Sequence, residues 1–142
     1  MNRSTGTSRT WKTSHGGRTV RYSKTYLEHF QAPRNIGEID APEGAAEAEH
    51  KGGGCFDRIR VTLRVRGGLV EEANFKARAC SGTIAAASAG TEWAAGRPLE
   101  EVARVTPETL DDLLGGVPEK KRHSVELVAE ALRLASADAL EG

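Results

Sequence analysis

Two runs of alternating residues, joined by a pair of glycines, constrain the fold of this chain more than any other feature. In residues 58–66, aliphatic side chains alternate with arginines and a threonine, which is typical of a strand with one buried and one solvated face. Gly67 and Gly68 can adopt the positive φ angles of a tight hairpin turn. Residues 69–79 return with the same alternation, so the pattern predicts an antiparallel hairpin.

The remaining segments predict helices and one weak strand. Residues 46–50 alternate between glutamates and small or imidazole side chains, which indicates an edge strand. Ser23 is typical of the cap of a short helix, with Tyr26, Leu27 and Phe30 on one face. Further helices are expected over residues 81–95, 98–103, 107–114 and 118–140. A hairpin followed by helices predicts an α+β domain, a small antiparallel sheet of about three strands with helices on one face.

The length of the chain, 142 residues and 15.2 kDa, fits one compact domain. Residues 1–21 are rich in Ser, Thr, Gly and Arg, so we expect a disordered basic tail ahead of a single domain over residues 22–142. The tail lacks the hydrophobic stretch of an export signal, which favours a cytoplasmic location. In that reducing compartment, two cysteines are more often thiols or metal ligands than a disulfide.

Composition argues against two classes of partner. No apolar run approaches the roughly 20 residues that span a bilayer, so no membrane association is expected. Residues 1–27 hold six basic and no acidic residues, a charge of +6, so residues 28–142 must carry −6 to give the net charge of zero. A mildly acidic domain lacks the broad basic face that binds a phosphate backbone, so no nucleic-acid partner is expected.

Groups that can bind a metal lie at three junctions between predicted elements. Cys55 is 12 residues before Gly67 and Cys80 is 12 after Gly68, so the two cysteines oppose each other if no bulge shifts the hairpin. Asp57 falls on the same strand face as Cys55 if the strand has begun by Cys55, and His123 lies near the start of the last helix. Two thiolates, a carboxylate and an imidazole suit zinc or an iron–sulfur unit. The alternative is two buried, inert cysteines and a solvated histidine.

Several segments, in order and spacing, resemble one known family. They are Tyr-Leu-Glu-His-Phe at 26–30, Pro-Arg-Asn-Ile-Gly at 33–37, the Cys-x-Asp at 55–57, Glu-Ala-Asn-Phe-Lys at 72–76 before Cys80, the helical residues 85–88, 91–92 and 96, and Leu-Gly-Gly-Val-Pro-x-Lys-Lys-x-His at 114–123. From Tyr22 to about Leu140, the chain resembles the IscU/NifU-type iron–sulfur cluster assembly scaffolds.

The resemblance implies a protein on which a transient [2Fe–2S] cluster is built and then passed to acceptor apo-proteins, with Zn²⁺ as an alternative occupant. It implies a cysteine desulfurase as the sulfur source and an Hsp70-type chaperone as a further partner. By the family pattern Cys55 and Cys80 are ligands, and His123 is an alternative or neighbouring ligand. Asp57 is the labile ligand, because oxygen holds iron(III) less durably than thiolate. Lys121 would be a nearby positive charge.

The chain departs from the family pattern near this site. Ser124 stands where the family has a third cysteine, and a serine hydroxyl is a poor soft-metal ligand and sulfur acceptor. Phe56 and Ala79 stand where the family has glycines, and residues 117–121 differ from its chaperone-docking segment.

Ser124 leaves several interpretations open. It is an engineered change, or a natural variant that uses Cys55, Asp57, Cys80 and His123, or the mark of a degenerate relative that binds a desulfurase or zinc without building clusters. A different class of function is an enzyme, a sulfurtransferase or a thiol hydrolase, with Cys80 as the nucleophile and His123 as its base.

Overall fold

A computed structural model describes residues 22–52 and 55–142 of the chain, in an α+β fold. Its sheet has three antiparallel strands in the order β1-β2-β3: β1 is Gly44–Gly52, β2 is Cys55–Arg66 and β3 is Leu69–Arg78. The predicted hairpin, its Gly-Gly turn and the edge strand are confirmed, although β1 and β2 are longer than the sequence pattern indicated. The predicted disordered tail, residues 1–21, lies outside the described residues.

The helices follow the predicted order with small differences at their ends. They are α1 Lys24–Gln31, α2 Ser81–Ala94, α3 Leu99–Val102, α4 Pro107–Leu113 and α5 Arg122–Glu141, and a 3-10 turn at Glu119–Lys121 precedes α5. Ser23 caps α1 as predicted, since its hydroxyl accepts from the Tyr26 amide. The predicted apolar face of α1 is partly wrong, because α1 buries Tyr26 and His29 while Phe30 is 41% exposed.

Two helices cover the inner face of the sheet. Helix α5 packs against β1 and β2, and α2 packs against β3, α1, α4 and α5. Because α2 is enclosed on so many sides, most of its residues are buried and small. A Cβ added at Gly90 would lie 3.1 to 3.3 Å from Leu132, Leu110 and Val128. The alanine-rich composition of α2 is therefore what allows the helices to approach this closely.

A β-bulge changes the register that the hairpin arithmetic predicted. The ladder shifts by one residue between Arg64 and Val65, where the Val65 amide donates to Glu43 Oε1 at 2.9 Å. Beyond the bulge, Arg58 pairs with Arg78, and β3 ends there. The predicted opposition of Cys55 and Cys80 is therefore wrong, since Cys80 falls after the end of β3 and outside the ladder.

None of the helices in the two described ranges combines the length and apolar character needed to cross a membrane.

Candidate metal centre

Three side chains from three elements converge at one end of the sheet. Asp57 belongs to β2, Cys80 is the N-cap of α2, and His123 lies in the first turn of α5. His123 Nε2 lies 3.2 Å from Asp57 Oδ2 and 3.8 Å from Cys80 Sγ. Cys80 Sγ lies 3.6 Å from Asp57 Oδ2. The structure thus brings together three of the four predicted ligands.

The Asp57 carboxylate is held by donors on both of its oxygens. Its Oδ1 accepts from the Cys80 amide at 3.2 Å, and its Oδ2 accepts from the Thr83 hydroxyl at 2.9 Å. Only 1% of Asp57 is exposed. Burial opposes ionisation, but the hydrogen bonds from Thr83 and Cys80 together outweigh it and hold the pKa of the carboxyl below its ordinary value.

The Cys80 thiol is half-buried and surrounded by polar groups. Sγ lies 3.6 Å from Ser124 Oγ and 3.8 Å from Thr83 Oγ1. Burial raises the pKa of the thiol, but hydrogen bonds from the Ser124 hydroxyl and the Thr83 backbone amide, together with the positive charge of Lys121, outweigh burial and leave the pKa below its ordinary value. The predicted positive charge at Lys121 therefore acts on Cys80.

Ser124 completes the wall of the site. It is fully buried, and its Oγ lies 3.1 Å from Thr83 Oγ1. Gly82 in the first turn of α2 allows this close packing, because a Cβ there would lie 2.7 Å from Ser124 Oγ. The residue in the place of the third family cysteine is thus packed directly against Cys80.

The separations between the three donor atoms suit a single metal ion. Around a tetrahedral Zn²⁺ with bonds of about 2.0 to 2.3 Å, neighbouring ligand atoms lie about 3.3 to 3.8 Å apart. The separations among Asp57 Oδ2, Cys80 Sγ and His123 Nε2 are 3.2, 3.6 and 3.8 Å. The pKa values of the carboxyl and of the thiol both lie below their ordinary values, which favours the deprotonated forms that bind a metal. The donor set therefore fits a single metal ion.

The fourth predicted ligand, Cys55, begins β2 and pairs with Gly52 in the ladder. Its side chain lies outside what the structure describes, so its place among the ligands stays a prediction.

Sequence reasoning missed two residues of this site, Thr83 and His50. The Thr83 hydroxyl donates a hydrogen bond to Asp57, and the His50 ring stacks on the His123 ring with centroids 4.5 Å apart. His50 lies within the predicted edge strand, but its pairing with Asp57 is known only from the strand register of the structure. Thr83 carried no sequence signal beyond its place in the first turn of α2.

Fold and site together define a small α+β domain with a mixed sulfur, nitrogen and oxygen centre at one end of its sheet. The chain belongs to the family of the NifU-like N-terminal domain, whose model matches residues 21–140. It is 34% identical over 117 residues to "Iron-sulfur cluster assembly scaffold protein IscU 1" of Archaeoglobus fulgidus, covering 82% of this chain and 75% of that protein. It is 31% identical over 124 residues to "Iron-sulfur cluster assembly scaffold protein IscU" of Escherichia coli, covering 82% of this chain and 92% of that protein.

Solved structures share the fold. The N-terminal part of a nitrogen-fixing NifU-like protein from Brucella abortus superposes with a TM-score of 0.62 at 23% identity, covering 84% of this chain and 94% of that one. The "Putative iron-sulfur cluster assembly scaffold protein for SUF system" of Fervidobacterium islandicum also gives a TM-score of 0.62, at 16% identity, covering 81% of this chain and 96% of that one. The family resemblance and the fold class predicted from the sequence are both confirmed.

Proposed function

We propose that this chain is a scaffold on which an iron–sulfur cluster is assembled and from which it is passed to other proteins. The convergence of Asp57, Cys80 and His123 carries the proposal, because these donors have the identities and separations that a metal centre needs. Relatives named as iron–sulfur cluster assembly scaffold proteins align with most of the chain and support it. The cargo is a [2Fe–2S] cluster, with Zn²⁺ as an alternative occupant of the same donors.

Cys80 supplies the durable ligand of this site. Its thiolate is soft, and Lys121 and the hydrogen bond from Ser124 favour the deprotonated form that binds metal. His123 supplies a nitrogen donor from α5. Cys55 is the proposed fourth donor, since it begins β2 two residues before Asp57, a register position that belongs to the same strand face.

Asp57 supplies the ligand that dissociates most readily. When the carboxylate leaves the metal, the Cys80 amide and the Thr83 hydroxyl still satisfy its oxygens. Releasing the cargo therefore leaves no buried, unsatisfied carboxylate, which lowers the free-energy cost of release. An oxygen ligand is also held less tightly by iron than a thiolate is. Both features suit a protein that must give up its cluster.

The proposed partners are those that the family resemblance implies. A cysteine desulfurase would supply sulfur, acceptor apo-proteins would receive the cluster, and an Hsp70-type chaperone would assist the transfer. Ser124 has no thiol, so sulfur would be accepted by a cysteine elsewhere in the centre. If Ser124 instead marks a degenerate relative, the chain should bind the desulfurase without forming a cluster.

The test is anaerobic reconstitution of the full chain with ferrous iron, cysteine and a desulfurase. We expect visible absorption and acid-labile sulfide, followed by transfer to an apo-ferredoxin. Cys80→Ala should abolish the absorption. Ser136→Ala, which alters a buried serine on α5, should leave it unchanged. A wild-type protein that stays colourless while binding the desulfurase would contradict the proposal.

A further inference from the structure

The imidazole rings of His50 and His123 are stacked. Their centroids are 4.5 Å apart and their planes differ by 20°. His50 comes from β1, the strand next to the one that carries Asp57, whereas His123 comes from the first turn of α5. This contact therefore connects the strand side of the centre to its helical side.

His50 is also the direct cross-strand partner of Asp57. Directly paired residues of antiparallel strands present their side chains on the same face of the sheet. His50 is thus tied to two of the three donors, to Asp57 through the ladder and to His123 through the ring stack. Among the described residues, its ring forms no hydrogen bond or ion pair, so the stack is its specific side-chain contact.

The stack restrains a side chain that otherwise has freedom to move. The His123 side chain is 20% exposed, in contrast to the Asp57 side chain at 2%. A partly exposed imidazole at the start of a helix can rotate about its side-chain bonds into solvent. A flat ring packed against one of its faces removes part of that freedom and keeps Nε2 directed at Asp57 and Cys80.

We propose that His50 is a positioning residue of the metal centre, which holds the His123 imidazole in its ligating orientation through ring stacking rather than by binding metal itself. This inference rests on the proposed metal-binding function. It assigns a role to a residue of β1 that lies outside the predicted ligand set. A residue that orients a ligand typically changes metal affinity by tenfold or more when it is removed.

The test compares two substitutions in the full chain, His50→Ala and His50→Phe, with Zn²⁺ and Co²⁺ as probes. His50→Ala removes the ring, and we expect about tenfold weaker Zn²⁺ binding in competition with a chromophoric chelator. The visible ligand-field bands of the Co²⁺ form should also change, because the geometry around the metal relaxes. His50→Phe keeps a flat ring without a nitrogen and should restore both readouts. Glu49→Ala, on the same strand, is the matched control and should bind as the wild type does.

Each outcome decides the role of His50. Wild-type affinity and an unchanged Co²⁺ spectrum in His50→Ala would overturn the proposal. So would a His50→Phe protein as weak as His50→Ala, because the nitrogen and not the ring would then matter. If the wild-type protein bound neither metal, the proposed function would fail and the role of His50 with it. If the wild-type protein binds metal and His50→Ala binds it equally well, the proposed function stands and only the role of His50 is refuted.

Discussion

The backbone amide of Cys80 lies 3.2 Å from Oδ1 of Asp57, so one candidate ligand holds the other in place. The bond exists because Cys80 follows the last ladder pair of β3, where its amide is free to turn toward the neighbouring strand. Thr83 adds a second donor from the first turn of α2. Asp57 is therefore both a proposed ligand and part of the connection between the sheet and α2.

This double role predicts a stability cost for Asp57→Ala in the metal-free protein. The substitution leaves the Cys80 amide without its acceptor in a partly buried position, so we expect the free energy of unfolding to fall by about 1–3 kcal/mol. Asp57→Asn keeps an acceptor oxygen and should cost less. Urea denaturation with a chelator present measures both values.

Glu130→Ala, at an exposed position of α5, is the control and should change the free energy by less than about 0.5 kcal/mol. An Asp57→Ala protein with the wild-type midpoint and slope would show that these hydrogen bonds add nothing to stability.

The hairpin shows which structural features can be predicted from sequence periodicity and which cannot. The alternation in residues 58–66 and the Gly67–Gly68 turn were sufficient to predict the hairpin of β2 and β3. They could not predict the bulge, because it depends on a hydrogen bond from the Val65 amide to Glu43, a residue of the preceding segment. The register therefore differs by one residue from the prediction.

The site shows the same limit. His123 was singled out as a junction residue, but only the family resemblance gave a reason to place it beside the strands. The sequence pattern places His50 only within a weak edge strand, because no local pattern reveals a stack on a residue of α5. The tertiary packing of α5 against β1 creates that contact.

Because His29 is buried, we expect the protein to lose stability in mild acid. Burial and the nearby Arg34 guanidinium lower the pKa of His29. Below about pH 6.5 the unfolded chain therefore binds a proton that the folded protein resists, and the free energy of unfolding decreases as the pH falls. His29→Gln should flatten this part of the profile. Denaturant midpoints of the metal-free protein between about pH 7.5 and 5 measure the slope.

The comparison for His29 uses slopes, because the substitution also removes the hydrogen bond to Ser88, 2.7 Å long, and lowers stability at every pH. Identical slopes for His29→Gln and the wild type would rule out His29 as the source of the acid sensitivity.

We expect the positive charge of Lys121 to increase the reactivity of the Cys80 thiol. Its positive charge contributes to the lowered pKa of the thiol, so Lys121→Met should raise that pKa and slow alkylation by iodoacetamide at neutral pH. The measurement is the rate of alkylation against pH by mass spectrometry, in a Cys55→Ser background that leaves Cys80 as the one thiol of the chain. Lys120→Met alters the exposed neighbour in the same 3-10 turn and should react as the background does. Equal pH profiles for the two lysine variants would contradict the electrostatic role of Lys121.

Ser124→Cys should convert a hydrogen-bonding neighbour of Cys80 into a ligand. Two thiolates on one tetrahedral Zn²⁺ lie about 3.8 Å apart, given Zn–S bonds of about 2.3 Å. The separation of Cys80 Sγ from Ser124 Oγ is 3.6 Å, so a sulfur at this position already has the required spacing.

We expect Ser124→Cys to bind Zn²⁺ at least about tenfold more tightly, or about 1.4 kcal/mol, and to retain a reconstituted cluster longer. Reducing, anaerobic conditions prevent a disulfide with Cys80. Ser136→Cys places a thiol at another buried serine of α5 and should change neither readout. If Ser124→Cys retained its cluster no longer than Ser136→Cys, the missing thiolate would not be what limits cluster retention in this chain.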